Sequence, residues 1–178
     1  STPLYSSAAS DVYKRQNIDD RNNIDLTGRR TTRISNVQFG KTKDGNLLDV
    51  THSGYETIFG VHHKRQIYLS NKKNEIRGRD EILNIGNIGS IPKNAYIRFH
   101  LFPGIELIKT RNGSVLLNHK KGFVWKMSSN NKNLSIENSV MFTPNGPKPC
   151  KELSIILDLG KIRAYRNISC NWAFELQK

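Results

Sequence analysis

From Ile34 onward, apolar and polar residues alternate in short segments separated by turn residues. The segments are 34 to 39, 47 to 52, 58 to 69, 75 to 83, 95 to 102, 105 to 110, 114 to 119, 122 to 127, 134 to 142, 152 to 157 and 168 to 176. A period of two sends successive side chains to opposite faces of a strand, so each segment offers one apolar and one polar face. No window of ten residues or more carries a helical stripe. Lys43-Asp44-Gly45-Asn46, Pro103-Gly104, Asn112-Gly113 and Pro144-Asn145-Gly146 supply the positive-φ or Pro-fixed positions that hairpin turns need. The stretch 84 to 94, with Gly86, Gly89 and Pro92, reads as a longer loop. The pattern predicts an all-β fold, an antiparallel β-sandwich of about eleven strands.

Phase along the strands exposes two anomalies. In 58 to 69, Phe59, Val61, Ile67 and Leu69 share a face with His63 and Arg65, while His62, Lys64, Gln66 and Tyr68 point the other way. A register through the Asn71 to Asn74 turn that pairs Leu69 with Ile76 sets Arg65 opposite Asp80. This predicts a cross-strand Arg65–Asp80 ion pair, because an inward charge needs a partner. Cys170 runs in phase with Trp172 and Phe174, whereas Cys150 is out of phase with Leu153, Ile155 and Leu157, so the two cysteines are expected to be free thiols.

Length fits one domain, large enough to close a core without disulfides or metals. Twenty-eight Lys and Arg against fifteen Asp and Glu give +13, a potential that attracts polyanions but equally keeps a protein soluble. No apolar run approaches the roughly 20 residues that span a bilayer, and no signal peptide is visible. Residues 1–16, STPLYSSAASDVYKRQ, lack periodicity and differ in composition from the Asn/Lys/Ile-rich remainder. DVYKRQ resembles the translation of a transposase recognition end used in sequencing libraries, so 1–16 is expected to be a non-native, disordered adaptor-like segment. Genuine sequence then begins at Asn17, with the gene continuing upstream, and 17–178 forms the sandwich domain. Removing Asp11, Lys14 and Arg15 leaves 26 basic and 14 acidic residues, or +12.

Two clusters carry candidate chemistry. His52-Ser53-Gly54-Tyr55 and Phe59-Gly60-Val61-His62-His63-Lys64-Arg65 bring together imidazole, phenol and guanidinium, groups that could neutralise a carboxylate or move a proton. The competing and preferred reading is a satisfied buried network beneath a turn at Gly54. In Tyr96-Ile97-Arg98-Phe99-His100-Leu101-Phe102, the set Tyr96, Arg98 and His100 faces away from the apolar residues, as either a polyanion track or a solvated face. His62 and His63 point to opposite faces and cannot ligate one ion together, and no zinc spacing, P-loop, dinucleotide or G-x-S-x-G motif is present. No metal site and no catalytic residue is assigned within the chain.

The ordered series THSGY (51 to 55), FGVHHKR (59 to 65), IYLS (67 to 70), RGRD (77 to 80), RFHLFPG (98 to 104) and GFVW (122 to 125) resembles the C-terminal domain of bacterial heparinase II/III-like proteins. The resemblance runs from about Leu47 to Trp172. It implies a fragment of a larger protein, an α/α toroid followed by this sandwich, acting as a polysaccharide lyase on uronate-containing polymers by β-elimination. It also implies that the catalytic Tyr and Asn or His lie on the toroid, and that a further His and any zinc ligands also lie upstream of Asn17, leaving this fragment inactive by itself. His52, Tyr55, His63, Arg65 and His100 match family positions with structural or groove-lining roles, and Arg98 is a further groove candidate. Ser53 and Phe102 depart from residues usual in the family, Asp and His respectively. The expected partners are an anionic polysaccharide and the toroid, with zinc an option only for the full-length protein and the periplasm or cell envelope as the place the family suggests. A non-catalytic module for acidic polysaccharide or cell-envelope glycan is the alternative. Nucleic-acid binding ranks third, since it rests on charge alone.

Overall fold

The structure, a computed structural model, describes residues 34–86 and 93–177, with strand backbone at 16–18 and 21–22. Residues 1–15 of the adaptor-like segment lie outside the described residues; its last residue, Gln16, pairs with Ile97. The strands are β1 (Gln16–Ile18), β2 (Arg21–Asn22), β3 (Ile34–Lys41), β4 (Gly45–Tyr55), β5 (Val61–Ser70), β6 (Glu75–Asn84) and β7 (Asn94–His100). They continue with β8 (Glu106–Lys109), β9 (Val115–Asn118), β10 (Val124–Ser129), β11 (Leu134–Thr143), β12 (Gly146–Asp158) and β13 (Asn167–Leu176). Every pairing among the described strands is antiparallel, and between consecutive strands short connections make this possible.

Two sheets form the sandwich. One has the order β11-β12-β7-β1-β2 and the other β3-β4-β5-β6-β13-β10-β9-β8. Their inner faces are the apolar phases of the strands: Ala95 and Ile97 of β7 and Leu153, Ile155 and Leu157 of β12 meet Val61, Ile82, Val115, Met127 and Cys170 of the larger sheet. Phe99 packs edge-on against Trp172 with ring centroids 4.9 Å apart, tying β7 to β13 across the layers. The strand β3 is exposed along its length, including Val37 and Phe39.

The expected segments recur with two changes. The segment 58 to 69 is not one strand: Glu56–Phe59 forms a short helical turn, α1, which Gly60 ends at φ 64 by donating its N–H to Glu56 O at 2.8 Å. A left-handed residue after a helical turn favours glycine, and this turn, not strand alternation, buries Phe59. The segment 152 to 157 extends back to Gly146, so Cys150 lies within β12, in phase with Glu152 and Ser154 on the outer side of the smaller sheet. Neither cysteine is in a disulfide.

Gly78 has a packing role. It stands opposite Trp172 in the β6–β13 pair, and a Cβ there would sit 2.0 Å from the indole Cζ2. The missing side chain is what lets the indole lie across β6 and reach Asp80. Gly78→Ala should therefore lower stability by about 1–3 kcal/mol, the usual cost of overpacking. Chemical denaturation checks this, and an unchanged midpoint would show that the indole does not need the space.

Candidate functional site

The register assembles the first cluster on the inner face of the larger sheet. Pairings His52–His63, His63–Ile82 and Arg65–Asp80 place β4, β5 and β6 side chains in adjoining rows. A one-residue irregularity between His52 and Tyr55 changes the phase, so that both residues turn inward although they are three apart. The bulge frees a backbone N–H, and Gly54 donates it to His52 Nδ1 at 3.2 Å.

That bond fixes the protons along the chain of rings. His52 Nδ1 accepts from Gly54, so a neutral His52 carries its proton on Nε2 and donates to His63 Nδ1, 3.0 Å away. His63 then carries its own proton on Nε2 and donates to Asp80 Oδ1 at 2.7 Å. Arg65 donates from Nε to Asp80 Oδ1 at 2.7 Å and from Nη2 to Oδ2 at 3.1 Å. Trp172 Nε1 completes the set by donating to Oδ2 at 2.7 Å. Asp80 is fully buried yet accepts four hydrogen bonds. Arg65 also lies over Phe99 and Trp172, 5.8 Å from each ring centroid.

The electrostatics agree with this arrangement. Burial alone would raise the Asp80 pKa, but Arg65 and His63 more than offset it and hold the carboxyl well below its usual range. Burial, then the positive potential of His63 and Arg65, lowers His52 to about 3. Burial also lowers His63 despite its bond to Asp80, and raises the Tyr55 phenol above its ordinary value. Burial, with Asp80 beside it, pushes the Cys170 thiol up to about 12, leaving it protonated and unreactive at neutral pH. Both ring nitrogens of each histidine are engaged, so neither can take a substrate proton without breaking a bond of the network. The cavity beside the rings, walled by Leu48, Val50 and Ile67, holds about 230 Å³. That is below the roughly 300–1,000 Å³ usual for ligand sites.

Arg98 and His100 lie elsewhere, on the outer side of the smaller sheet. Arg98 pairs with Glu152 and, at 3.3 Å, with Glu137, and it lies 5.2 Å from the Tyr96 ring centroid. His100 Nδ1 is 3.1 Å from both Ser139 Oγ and Glu152 Oε2. The face expected as a polyanion track or a solvated surface is thus a half-buried network with two glutamates. His62 points away from His63 and meets Glu56 Oε2 at 2.9 Å. Among the described residues, no group of three or more His, Cys, Asp or Glu could hold a metal ion. The His52–His63–Asp80 set does not fit zinc: the imidazoles bond each other, and the carboxylate is taken by Arg65 and Trp172. Sequence reading missed the donations from Gly54 and Trp172. The second joins residues 92 positions apart, and only the β6–β13 pairing reveals it.

Comparison with known proteins places this geometry. A family model described as Heparinase II/III-like, C-terminal, matches residues 17–172. No curated protein matches the chain significantly. Among solved structures, a heparinase III gene product aligns with a TM-score of 0.64 at 11% identity, covering 92% of this chain and 23% of its own. The GH36 α-galactosidase AgaA from Geobacillus stearothermophilus aligns with a TM-score of 0.47 at 12% identity, covering 92% and 29%. The chain therefore spans less than a third of either solved chain.

The network has a direct mutational test. Asp80→Asn removes the charge that faces Arg65 while keeping the side chain's size. It should cost about 3–5 kcal/mol, as breaking a buried pair from one side does. Denaturant unfolding measures it, and a loss below about 1 kcal/mol would place the pair among exposed ones.

Proposed function

Because the chain belongs to the heparinase II/III-like C-terminal family, we propose that it is the C-terminal β-sandwich of a polysaccharide lyase that cleaves uronate-containing polymers by β-elimination. In that reaction a base removes the C5 proton, the C4–O bond to the leaving sugar breaks, and a C4–C5 double bond forms. The developing negative charge beside the carboxylate favours a basic surrounding. The observation that carries the reading is the family match over 17–172.

Within this reading the sandwich supports the enzyme and does not carry its proton chemistry. His52 and His63 have their ring nitrogens committed, Tyr55 is buried and held protonated, and Arg65 is bound to Asp80. The base and its partner then come from the preceding toroid, and the excess of basic side chains attracts the anionic polymer.

The test uses the full-length protein and a panel of hyaluronan, heparan sulfate and alginate. It should generate the ultraviolet absorbance of an unsaturated uronate on at least one polymer, and the present chain alone should generate none on any. A full-length protein that binds these polymers and leaves every one uncut would replace the lyase with a glycan-binding module.

A further inference from the structure

A groove of about 480 Å³ lies on the outer face of the larger sheet, turned away from the histidine network. Its size falls within the range of ligand sites. Two cross-strand rows build it. Tyr68 stands beside Arg77 and Arg77 beside Ala173 in one; Gln66 stands beside Arg79 and Arg79 beside Asn171 in the next. The end of β10 at Ser128 and Ser129, with Asn130 just beyond it, closes one side. The small Ala173 side chain leaves a depression between taller neighbours, so the outer face is grooved where a sheet would ordinarily be flat.

The lining is chemically one-sided. It contains two arginines, a tyrosine and several amide and hydroxyl side chains, and no carboxylate. Arg77 donates from Nε to Glu75 Oε1 and Arg79 from Nη2 to Glu81 Oε1, each at 2.7 Å, so each guanidinium is oriented by a glutamate two residues along β6. The arginine side chains remain 56% and 44% exposed. Guanidinium presents five donors in a planar fork, of which these bonds use one each. The Tyr68 hydroxyl donates to Asp44 O at 2.9 Å, which fixes the ring at the groove's edge. Gln66 donates from Nε2 to Asp49 Oδ2 at 2.7 Å, which holds its amide in place.

We propose that this groove binds a short segment of acidic oligosaccharide. Arg77 and Arg79 take its carboxylate or sulfate oxygens, the Tyr68 ring packs on an apolar sugar face, and Gln66 and Asn171 meet ring hydroxyls. The site is a holding site away from any bond cleavage. The choice of uronate polymers as probes rests on the lyase reading; the groove itself rests on its lining.

Calorimetric titration of the 178-residue chain with heparin and alginate oligosaccharides of defined length, at physiological salt, tests the proposal. Loss of charge-assisted hydrogen bonds should weaken binding roughly tenfold or more in the double variant Arg77→Ala/Arg79→Ala. Tyr68→Ala should weaken it too, and Ala173→Trp should block it by filling the depression. Lys120→Ala/Lys121→Ala, which removes the same charge from the exposed β9–β10 turn, should leave affinity near that of the parent. Equal losses in the two double variants would reduce the effect to net charge and overturn the site. So would groove variants that bind normally, failure of both probes to bind, or a single-stranded oligonucleotide that binds more tightly through the same arginines. The two readings separate cleanly. An active full-length lyase whose sandwich binds neither probe sinks the groove alone, whereas groove binding with an inactive full-length protein sinks the lyase alone.

Discussion

Asp80 is a carboxylate with no exposure to solvent, and the inner face of the larger sheet is organised around satisfying it. Four donors converge on its two oxygens, from His63 and Arg65 on β5 and Trp172 on β13. Each donor is itself held: His63 by His52, Arg65 by the faces of Phe99 and Trp172, and Trp172 by the space over Gly78. An unpaired charge at this depth would cost several kcal/mol, so the strands carrying these groups must meet in one register. A slip of one residue in β6 would turn Asp80 outward and leave the Arg65 guanidinium facing the core alone. The ion pair thus acts as a register pin between β5, β6 and β13.

The same constraint decides what the histidines can do. A general base needs an open lone pair within reach of a substrate proton. The bulge at Ser53 and Gly54 consumes that of His52 Nδ1, and the order of donation passes along both rings to the carboxylate. Burial moves both imidazoles toward neutrality, so the protons have one arrangement at neutral pH. A cluster with the composition of an acid-base site thus has every ring nitrogen of His52 and His63 hydrogen-bonded within the sheet.

Much of this was legible in the sequence where the signal is local. Strand periodicity located the segments, and the tight turn at Asn71 to Asn74 made the β5–β6 register, with Arg65 opposite Asp80, a matter of counting. The helical turn at Glu56–Phe59 was hidden because Phe59 and Val61 keep the parity of a continuous strand; the signal was Gly60, which ends the turn at positive φ. Arg98 read as outward-facing, which it is, but its glutamate partners come from β11 and β12, strands whose pairing with β7 depends on the whole fold. The outer groove was invisible for the same reason: Tyr68, Arg77 and Ala173 are spread over three strands and share no motif.

The claim that Asp80 fixes one proton arrangement is tested most directly by nitrogen-15 NMR of the histidine rings during an acid titration. His52 and His63 should both appear near neutral pH as neutral rings protonated at Nε2; His52 should stay neutral at about pH 5, where an ordinary histidine is mostly charged, and His63 should take up its second proton only below the ordinary histidine range. An imidazolium signal from His52 at about pH 5, a His63 that charges in the ordinary histidine range, or an Nδ1-protonated tautomer in either ring would contradict the directed network and reopen these residues as acid-base candidates.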